Sequence, residues 1–298
     1  MKRSVPPRVL AVVAVALLFS CNRTGSDYPS SIETWRRERV QRLTADDGWL
    51  TVAGLYWLEE GDNPAGTEGG SSILLPQGSA PPRVGIFRRA KDEVTFTADP
   101  SARVASDGRA VTTIQMKDDS AGKPDLIAVN DLTMFIIKRG DRFGVRLRDK
   151  NRRERREFAG LDYYPIRSEY RVVAEWVPYE PPRTMAVPNI LGMSEDLPCP
   201  GYARFTIDGK EHRLEPVIEQ PGDQELFFIF ADQTNGSETY HSGRFFYSPM
   251  PQNETIVLDF NKAYNPPCAF TPFATCPLPP PQNRLAARIE AGEKKYGH

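Results

Sequence analysis

A short segment crowded with proline, residues 265–283 (NPPCAFTPFATCPLPPPQN), constrains the fold of this chain more than any other feature. It holds seven of the chain's 27 prolines and two of its four cysteines, Cys268 and Cys276. Because proline lacks a backbone N–H and fixes φ, the segment can form neither an α-helix nor an interior strand. We therefore predict a rigid, proline-rich C-terminal segment that packs against other elements and shapes any site beside it.

The first 21 residues predict export and attachment to a membrane. Residues 1–8 are basic, and residues 9–19 form an apolar run of eleven, which is shorter than the ~20 residues that a spanning helix needs. This is the pattern of an export signal. The next residues, Leu18-Phe19-Ser20-Cys21, resemble the lipobox of bacterial lipoproteins, which implies lipidation at Cys21. The alternatives are an ordinary signal peptide and an untypical membrane anchor. We expect a lipid-anchored, extracytoplasmic protein of the bacterial cell envelope, on the periplasmic face or the outer surface.

Composition limits the classes of partner. The chain is 40% hydrophobic and 26% charged, as expected of a globular protein with a core. Its formal net charge of −1 provides no field that would favour nucleic acid. With three histidines in 298 residues, a histidine-rich metal site is not indicated. We expect no metal, no cofactor and no nucleic-acid partner.

One helix is predicted near the N-terminus, in a region of tether and helix over residues 22–47. Ser30 and Glu33 have the spacing of a capping box, which would begin the helix there. The apolar residues that follow recur on one helical face; they are Ile32, Trp35, Val40 and Leu43. The helix is predicted to end near residues 46–48.

The rest of the chain has the pattern of a β protein, with short apolar runs separated by Gly, Pro, Asn and Asp. The strongest signal is Asp208-Gly209 between two alternating runs, which predicts a hairpin with a type I′ turn. Residues 226–230 (LFFIF) predict a buried central strand, and residues 170–178 a strand that stops at Pro178. Further candidate strands cover residues 83–88, 93–97, 110–116, 133–138, 142–148, 245–247 and 255–260.

A run of mixed charge, residues 150–157 (KNRRERRE), predicts a solvated turn between two groups of strands. We place a boundary there, which gives an N-terminal β module over residues 48–157 and a C-terminal β module over residues 158–298. The predicted fold is mainly β, with two packed antiparallel modules of sandwich or barrel type, one N-terminal helix and the proline-rich C-terminal segment.

Several motifs carry a family resemblance. They include residues 47–58 (DGWLTVAGLYWL), 259–268 (DFNKAYNPPC) and 289–294 (IEAGEK). Over nearly all of residues 32–296 the chain resembles domain-of-unknown-function family 1684, a bacterial family for which no reaction is established. Residues 50–148 are also faintly similar to forkhead-associated β-sandwiches. The Arg and Ser–His phosphate readers of those domains do not map onto this sequence, so phosphopeptide binding is not implied.

The cysteines that would remain after export are Cys199, Cys268 and Cys276, which allow three single pairings. The Cys268–Cys276 pairing closes the smallest loop, and an oxidising compartment favours a structural disulfide. A free, buried pair is the main alternative. Zinc binding is not favoured, because the sequence contains no C-x-x-C spacing.

A polar set near the proline-rich segment is the candidate ligand site. Its members mix amide, cationic, acidic and aromatic groups, which can hold an anionic or sugar-like ligand; they are Arg244, Asp259, Asn261, Lys262, Tyr264 and Asn265. The alternative is that these side chains cap turns and tie the C-terminal segment to the sheet.

Two function classes follow. The first is a non-catalytic binding or scaffold protein with a site for a small molecule or an envelope-protein partner near residues 259–284. The second is an envelope hydrolase that uses Lys262 with Tyr264, or a pair of carboxylates; the candidates for that pair are Asp259, Glu238, Glu290 and Glu293. No G-x-S-x-G motif or other complete catalytic set is present. A deep pocket with Glu238 or Asp259 beside Lys262 would favour the enzyme.

Overall fold

The computed structural model of the chain describes residues 28–297. The predicted export signal and Cys21 lie outside these residues. The described part is mainly β, with several antiparallel sheets and one long helix at its N-terminal end, so the predicted fold class is confirmed. Within it, no helix has the length and apolar character that crossing a membrane requires.

The N-terminal half is a β-sandwich. Its strands are β1 (Val52–Trp57), β2 (Gly61–Gly66), β3 (Ile73–Leu74), β4 (Gly85–Ala90), β5 (Glu93–Ala98), β6 (Ala105–Ser106), β7 (Arg109–Ala110), β8 (Thr113–Met116), β9 (Ile127–Val129), β10 (Leu132–Arg139) and β11 (Arg142–Asp149). One sheet has the order β1-β11-β10-β9-β6-β7, and the other has the order β3-β2-β4-β5-β8. Their inward-facing apolar residues form one core, in which the rings of Phe87 and Phe96 lie 4.7 Å apart.

The single strand predicted over residues 110–116 is wrong. The chain leaves one sheet after β7 and enters the other at β8. The apolar alternation therefore continues across a change of sheet, which periodicity alone cannot reveal. The charged run near residues 150–157 contains the short exposed helix α2 (Arg153–Arg156).

The C-terminal half is built on a long hairpin. Its strands are β12 (Arg171–Pro188), β13 (Ser194–Ile207), β14 (Lys210–Leu214), β15 (Glu225–Phe230), β16 (Arg244–Pro249) and β17 (Thr255–Asp259). One sheet has the order β14-β13-β12-β17, and β15 pairs with β16 in a separate two-stranded sheet. The core between them includes Phe228 and Phe246, whose rings stack at 4.7 Å.

The predicted Asp208-Gly209 hairpin is confirmed. It joins β13 to β14, and both residues have the positive φ of a type I′ turn, 50° and 73°. Two other predictions need correction. Strand β12 does not stop at Pro178 but continues to Pro188, because a register shift after Pro178 lets the pairing with β13 resume at Arg183. The run 226–230 is buried, but it lies in a two-stranded sheet and is not central.

Helix α1 (Tyr28–Thr44) packs against the start of the sandwich and the proline-rich segment. The predicted capping box is wrong, because Ser30 already lies inside the helix, where its carbonyl accepts a hydrogen bond from Thr34. The buried residues of the helix are Ile32, Arg39 and Leu43. Burial of Arg39 between two predicted apolar positions was not expected, and it proves central to the site below.

The proline-rich segment contains neither an α-helix nor a strand, as predicted. Its only regular pieces are two 3-10 turns, Pro267–Ala269 and Pro281–Asn283. Thr271 Oγ1 donates a hydrogen bond of 2.9 Å to the Val52 carbonyl, and Phe270 packs with Leu43. The segment therefore joins the helix, the sandwich and the C-terminal sheets.

Candidate functional site

A cleft of about 900 Å³ lies where these elements meet. Helix α1 and the loop after it form one side, strands β15 and β16 form the floor, and the proline-rich segment forms the wall. Arg139, at the end of β10 in the sandwich, reaches the cleft from the N-terminal half. The site is thus assembled from five distant parts of the sequence.

The floor of the cleft is a series of aromatic rings. Phe227 on β15 stacks on Tyr247 of β16 at 4.8 Å with an interplanar angle of 24°, and Tyr247 is nearly parallel to Tyr264 at 6.4 Å and 15°. Trp35 of helix α1 approaches Tyr264 at 6.5 Å. Such faces bind planar groups by stacking or pack against the apolar face of a sugar ring. We call Phe227, Tyr247 and Tyr264 the aromatic floor.

Local backbone pairing fixes the floor. Strands β15 and β16 place Phe227 directly opposite Tyr247. Tyr264 follows the 3-10 turn Phe260–Lys262, and it exchanges two backbone hydrogen bonds with Phe245, of 2.8 and 2.9 Å. Because Phe245 lies two residues before Tyr247 on β16, this pairing brings Tyr264 beside Tyr247.

Cationic groups line the helix side of the cleft. Arg39 lies over the Tyr264 ring, with its guanidinium carbon 4.6 Å from the ring centroid. Arg39 also donates to the Glu293 carboxylate at 2.9 Å and to the Asn265 carbonyl at 2.9 Å. Lys262 lines the cleft too, and within residues 28–297 it has no ion-pair or hydrogen-bond partner. Arg39 thus provides the cleft with a fixed cation, and Lys262 provides it with a free ammonium group.

A carboxylate and a phenol form a hydrogen bond beside the floor. The Tyr247 hydroxyl donates a hydrogen bond of 2.5 Å to Glu219 Oε2. Burial raises the pKa of Glu219, and the nearby Asp223 and Glu195 add to the shift. The Tyr247 ring is 38% exposed, yet loss of water around its hydroxyl, together with Tyr264 and Glu219, raises its pKa as well. The protonated phenol is therefore the form of Tyr247 at neutral pH.

The wall of the cleft is held by the cysteine pair. The Cα atoms of Cys268 and Cys276 lie 6.2 Å apart, within the disulfide range, and the Cys268 N–H donates to Cys276 Sγ at 3.1 Å. The two cysteines of the predicted pair therefore lie at disulfide distance. Cys199 is buried elsewhere, and burial raises the pKa of its thiol to about 11.

Of the six predicted site residues, the structure brings only Lys262 and Tyr264 to the cleft. Arg244 is fully buried, where it pairs with Asp232 at 2.6 Å and donates to the Ile289 carbonyl. Asp259 accepts a hydrogen bond of 2.7 Å from the Tyr28 hydroxyl. These contacts are structural, as the alternative interpretation of the sequence has it.

The two asparagines also tie chain segments together. Asn261 exchanges hydrogen bonds with the backbone of Arg167, at 3.1 and 2.8 Å. The Asn265 side chain donates to the Lys294 carbonyl at 2.7 Å, and its backbone N–H donates to Glu293 at 2.7 Å. Asn261 therefore ties the turn after β17 to the segment before β12, and Asn265 ties the start of the proline-rich segment to residues 293–294.

The carboxylates proposed for hydrolysis lie elsewhere. Glu238 accepts from Tyr164 at 2.7 Å and pairs with Arg288, and Glu290 pairs with Arg288 at 3.1 Å. Glu293 is fully buried beneath Arg39. Neither Glu238 nor Asp259 lies beside Lys262 in the cleft. Across residues 28–297, no cluster of three or more His, Cys, Asp or Glu side chains could hold a metal ion.

Several cleft residues were not among the sequence candidates; they are Trp35, Trp49, Arg139, Glu219 and Tyr247. Two features of the sequence could have pointed to the cleft. They are the repeated tryptophans of residues 47–58 and the presence of Arg39 on an otherwise apolar face of the helix. No local spacing connects these positions, because the cleft is formed by tertiary packing.

Two solved structures are similar to parts of this chain. The solution structure of an uncharacterized protein from Haloarcula marismortui is 30% identical, covers 47% of this chain and 78% of its own, and has a TM-score of 0.39. A structure of the FhaA FHA domain with the intracellular domain of Rv3910 is 15% identical, covers 32% of this chain and 97% of its own, and has a TM-score of 0.23. No curated protein matches the chain.

The family match covers less of the chain than the motifs predict. The model described as "Protein of unknown function (DUF1684)" matches residues 156–294, which include the long hairpin, the aromatic floor and the proline-rich segment. Residues 32–155 lie outside the match. Through residues 156–294, the chain belongs to the DUF1684 family.

Proposed function

We propose that this protein is a non-catalytic binding protein whose cleft holds a small molecule with a planar or sugar-like ring. The observation that carries the proposal is the aromatic floor, whose central residue, Tyr247, is 38% exposed and lines a cleft of about 900 Å³. Ligand sites combine apolar walls of this kind with a few placed polar groups.

The polar groups of the cleft favour a ligand that also carries negative charge or hydroxyl groups. Lys262 has no partner among the described residues, and Arg39 is held in place by Glu293 and the Asn265 carbonyl. Glu219, which lines the cleft beside Tyr247, can accept hydrogen bonds from ligand hydroxyls. A carboxylate or phosphate near Lys262, with a ring on Tyr247 and Tyr264, would satisfy these groups.

The test is a thermal-shift screen of the purified protein against sugars, nucleotides and aromatic carboxylates. Compounds that stabilise the wild type should lose their effect with Tyr247→Ala, which removes the central ring of the floor. Tyr202→Ala is the matched control, because Tyr202 packs against Tyr179 with tilted rings and does not line the cleft. Equal stabilisation of wild type and Tyr247→Ala by every active compound would overturn the proposal.

We also propose that the protein acts at the surface of a bacterial membrane, anchored through lipid on Cys21. The support is the basic, apolar and lipobox-like sequence of residues 1–21. The cysteine pair agrees with an oxidising compartment. In that setting the ligand, or a partner protein of the envelope, would meet the cleft outside the cytoplasm.

A further inference from the structure

A buried arginine, Arg146, lies near one end of the cleft. Arg146 of β11 is 4% exposed, and no carboxylate of residues 28–297 lies within ion-pair distance of it. Its Nε is buried without a hydrogen-bond partner, and its Nη2 makes one long contact of 3.5 Å with the Phe273 carbonyl. A buried charge without a partner lowers the stability of the folded protein. The burial of Arg146 therefore calls for a role other than stabilising the fold.

Arg146 lies directly behind the wall of the cleft. Its guanidinium carbon is 5.2 Å from the Trp49 ring, and Trp49 lines the cleft. The neighbouring Arg139 also lines the cleft and donates to Thr275 Oγ1 at 3.0 Å. Asp119 pairs with Arg139 at 2.8 Å and attracts Arg146 only from beyond ion-pair distance, so a single carboxylate faces the two guanidinium groups.

The electrostatics of Arg146 agree with this geometry. Burial lowers its pKa to about 10, and the charge of Arg139 contributes to the shift. Arg146 therefore remains charged at neutral pH, but its surroundings stabilise that charge only weakly. In a low-dielectric setting, an anion placed against Arg139 and Thr275 would be attracted by both guanidinium groups.

We infer that the end of the cleft at Trp49, Arg139 and Thr275 is an anion subsite, with Arg146 supplying additional charge from behind the wall. The subsite takes a carboxylate, sulfonate or phosphate group of a ligand whose ring lies on the aromatic floor. This inference rests on the proposed function, because the ring site and the anion subsite share one cleft.

Two dyes separate the subsite from the ring site. Anilinonaphthalene sulfonate and phenylnaphthylamine have the same aromatic rings, and only the first carries an anionic group. Fluorescence titration of the purified protein should give a dissociation constant for the sulfonate dye that is at least about tenfold lower than that for the neutral dye. The reason is that hydrogen bonds to charged groups are strong. Arg146→Met should reduce this preference about tenfold and leave binding of the neutral dye unchanged.

Further variants keep the test decisive. Arg146→Lys retains the charge and should retain most of the preference for the sulfonate. Arg139→Met should reduce the preference even if Arg146→Met fails to fold. Arg142→Met is the control, because Arg142 lies on the same strand but stacks on Trp57 outside the cleft; it should change neither constant.

The outcomes are distinct. Equal binding of the two dyes to the wild type, or a preference that survives both Arg146→Met and Arg139→Met, would overturn the anion subsite alone. Failure of both dyes to bind would overturn the proposed ring site and the subsite with it.

Discussion

The guanidinium of Arg39 lies 4.6 Å from the centre of the Tyr264 ring and joins the N-terminal helix to the aromatic floor of the cleft. The same side chain donates to Glu293, which is fully buried near the C-terminal end of the chain. A structural ion pair and one side of the candidate site therefore share one residue. Loss of Arg39 should affect both stability and the shape of the cleft.

Arg39→Met should lower the free energy of unfolding by about 3–5 kcal/mol, because it leaves the Glu293 carboxylate buried without its cation. Urea unfolding measures the change. Arg42→Met is the control, since Arg42 is exposed on the same helix and should change stability by no more than about 0.5 kcal/mol. Equal effects of the two variants would contradict the assigned role of Arg39.

Glu219→Gln should stabilise the protein at neutral pH and have no effect in acid. The folded-state pKa of Glu219 is raised above its ordinary value of 4.5. Folding therefore favours the protonated carboxyl: the resulting stability is fully present below pH 4.5 and is lost as the pH rises through the raised pKa. Glutamine imitates the protonated form at every pH.

The measurement is urea unfolding of wild type and Glu219→Gln below pH 4.5 and at neutral pH. Glu225→Gln, which removes another cleft carboxylate from an exposed position, serves as the control. A stability difference between Glu219→Gln and wild type that is the same at both pH values would argue against a raised pKa at this site.

Mass spectrometry should show that Cys268 and Cys276 are bonded in protein isolated without reductant. Reduction should add two hydrogens, and alkylation before reduction should label Cys199 only after unfolding, because that thiol is buried. Cys268→Ala/Cys276→Ala should lose roughly 2.5 kcal/mol by loop entropy. Alkylation of Cys268 and Cys276 in the unreduced, unfolded protein would refute the pairing.

Cys21→Ala should release the protein from membranes. A multiply acylated cysteine anchors a protein stably, whereas the apolar run of residues 9–19 alone is too short to span a bilayer. Fractionation of cells that express each form measures the distribution, with Cys199→Ala as a control that leaves the lipobox-like sequence intact. Membrane association of Cys21→Ala equal to that of wild type would contradict the lipid anchor.

Local sequence signals were sufficient for much of the fold. Asp208-Gly209 gives its hairpin because both residues readily adopt the positive φ that a type I′ turn needs. The prolines of residues 265–283 exclude an α-helix and a strand, as observed. The end of β12 could not be predicted, because the pairing of Arg183 with Cys199 across a register shift depends on a distant strand.

Only the part of the candidate site whose residues lie close together in the sequence could be predicted. Lys262 and Tyr264 follow β17 and precede the prolines, so the sequence placed them beside the wall. Asn261 and Asn265 have the same neighbours but turn toward backbone groups of Arg167 and Lys294. Which side chains face a cleft and which tie the chain together is decided by tertiary contacts.

The decisive measurement is a crystal structure of the protein soaked with the compound that raises its melting temperature most. We expect electron density for a ring against Tyr247 and Tyr264, with any anionic group directed toward Arg139 or Lys262. Density for the compound at another surface, with the cleft empty, would contradict it.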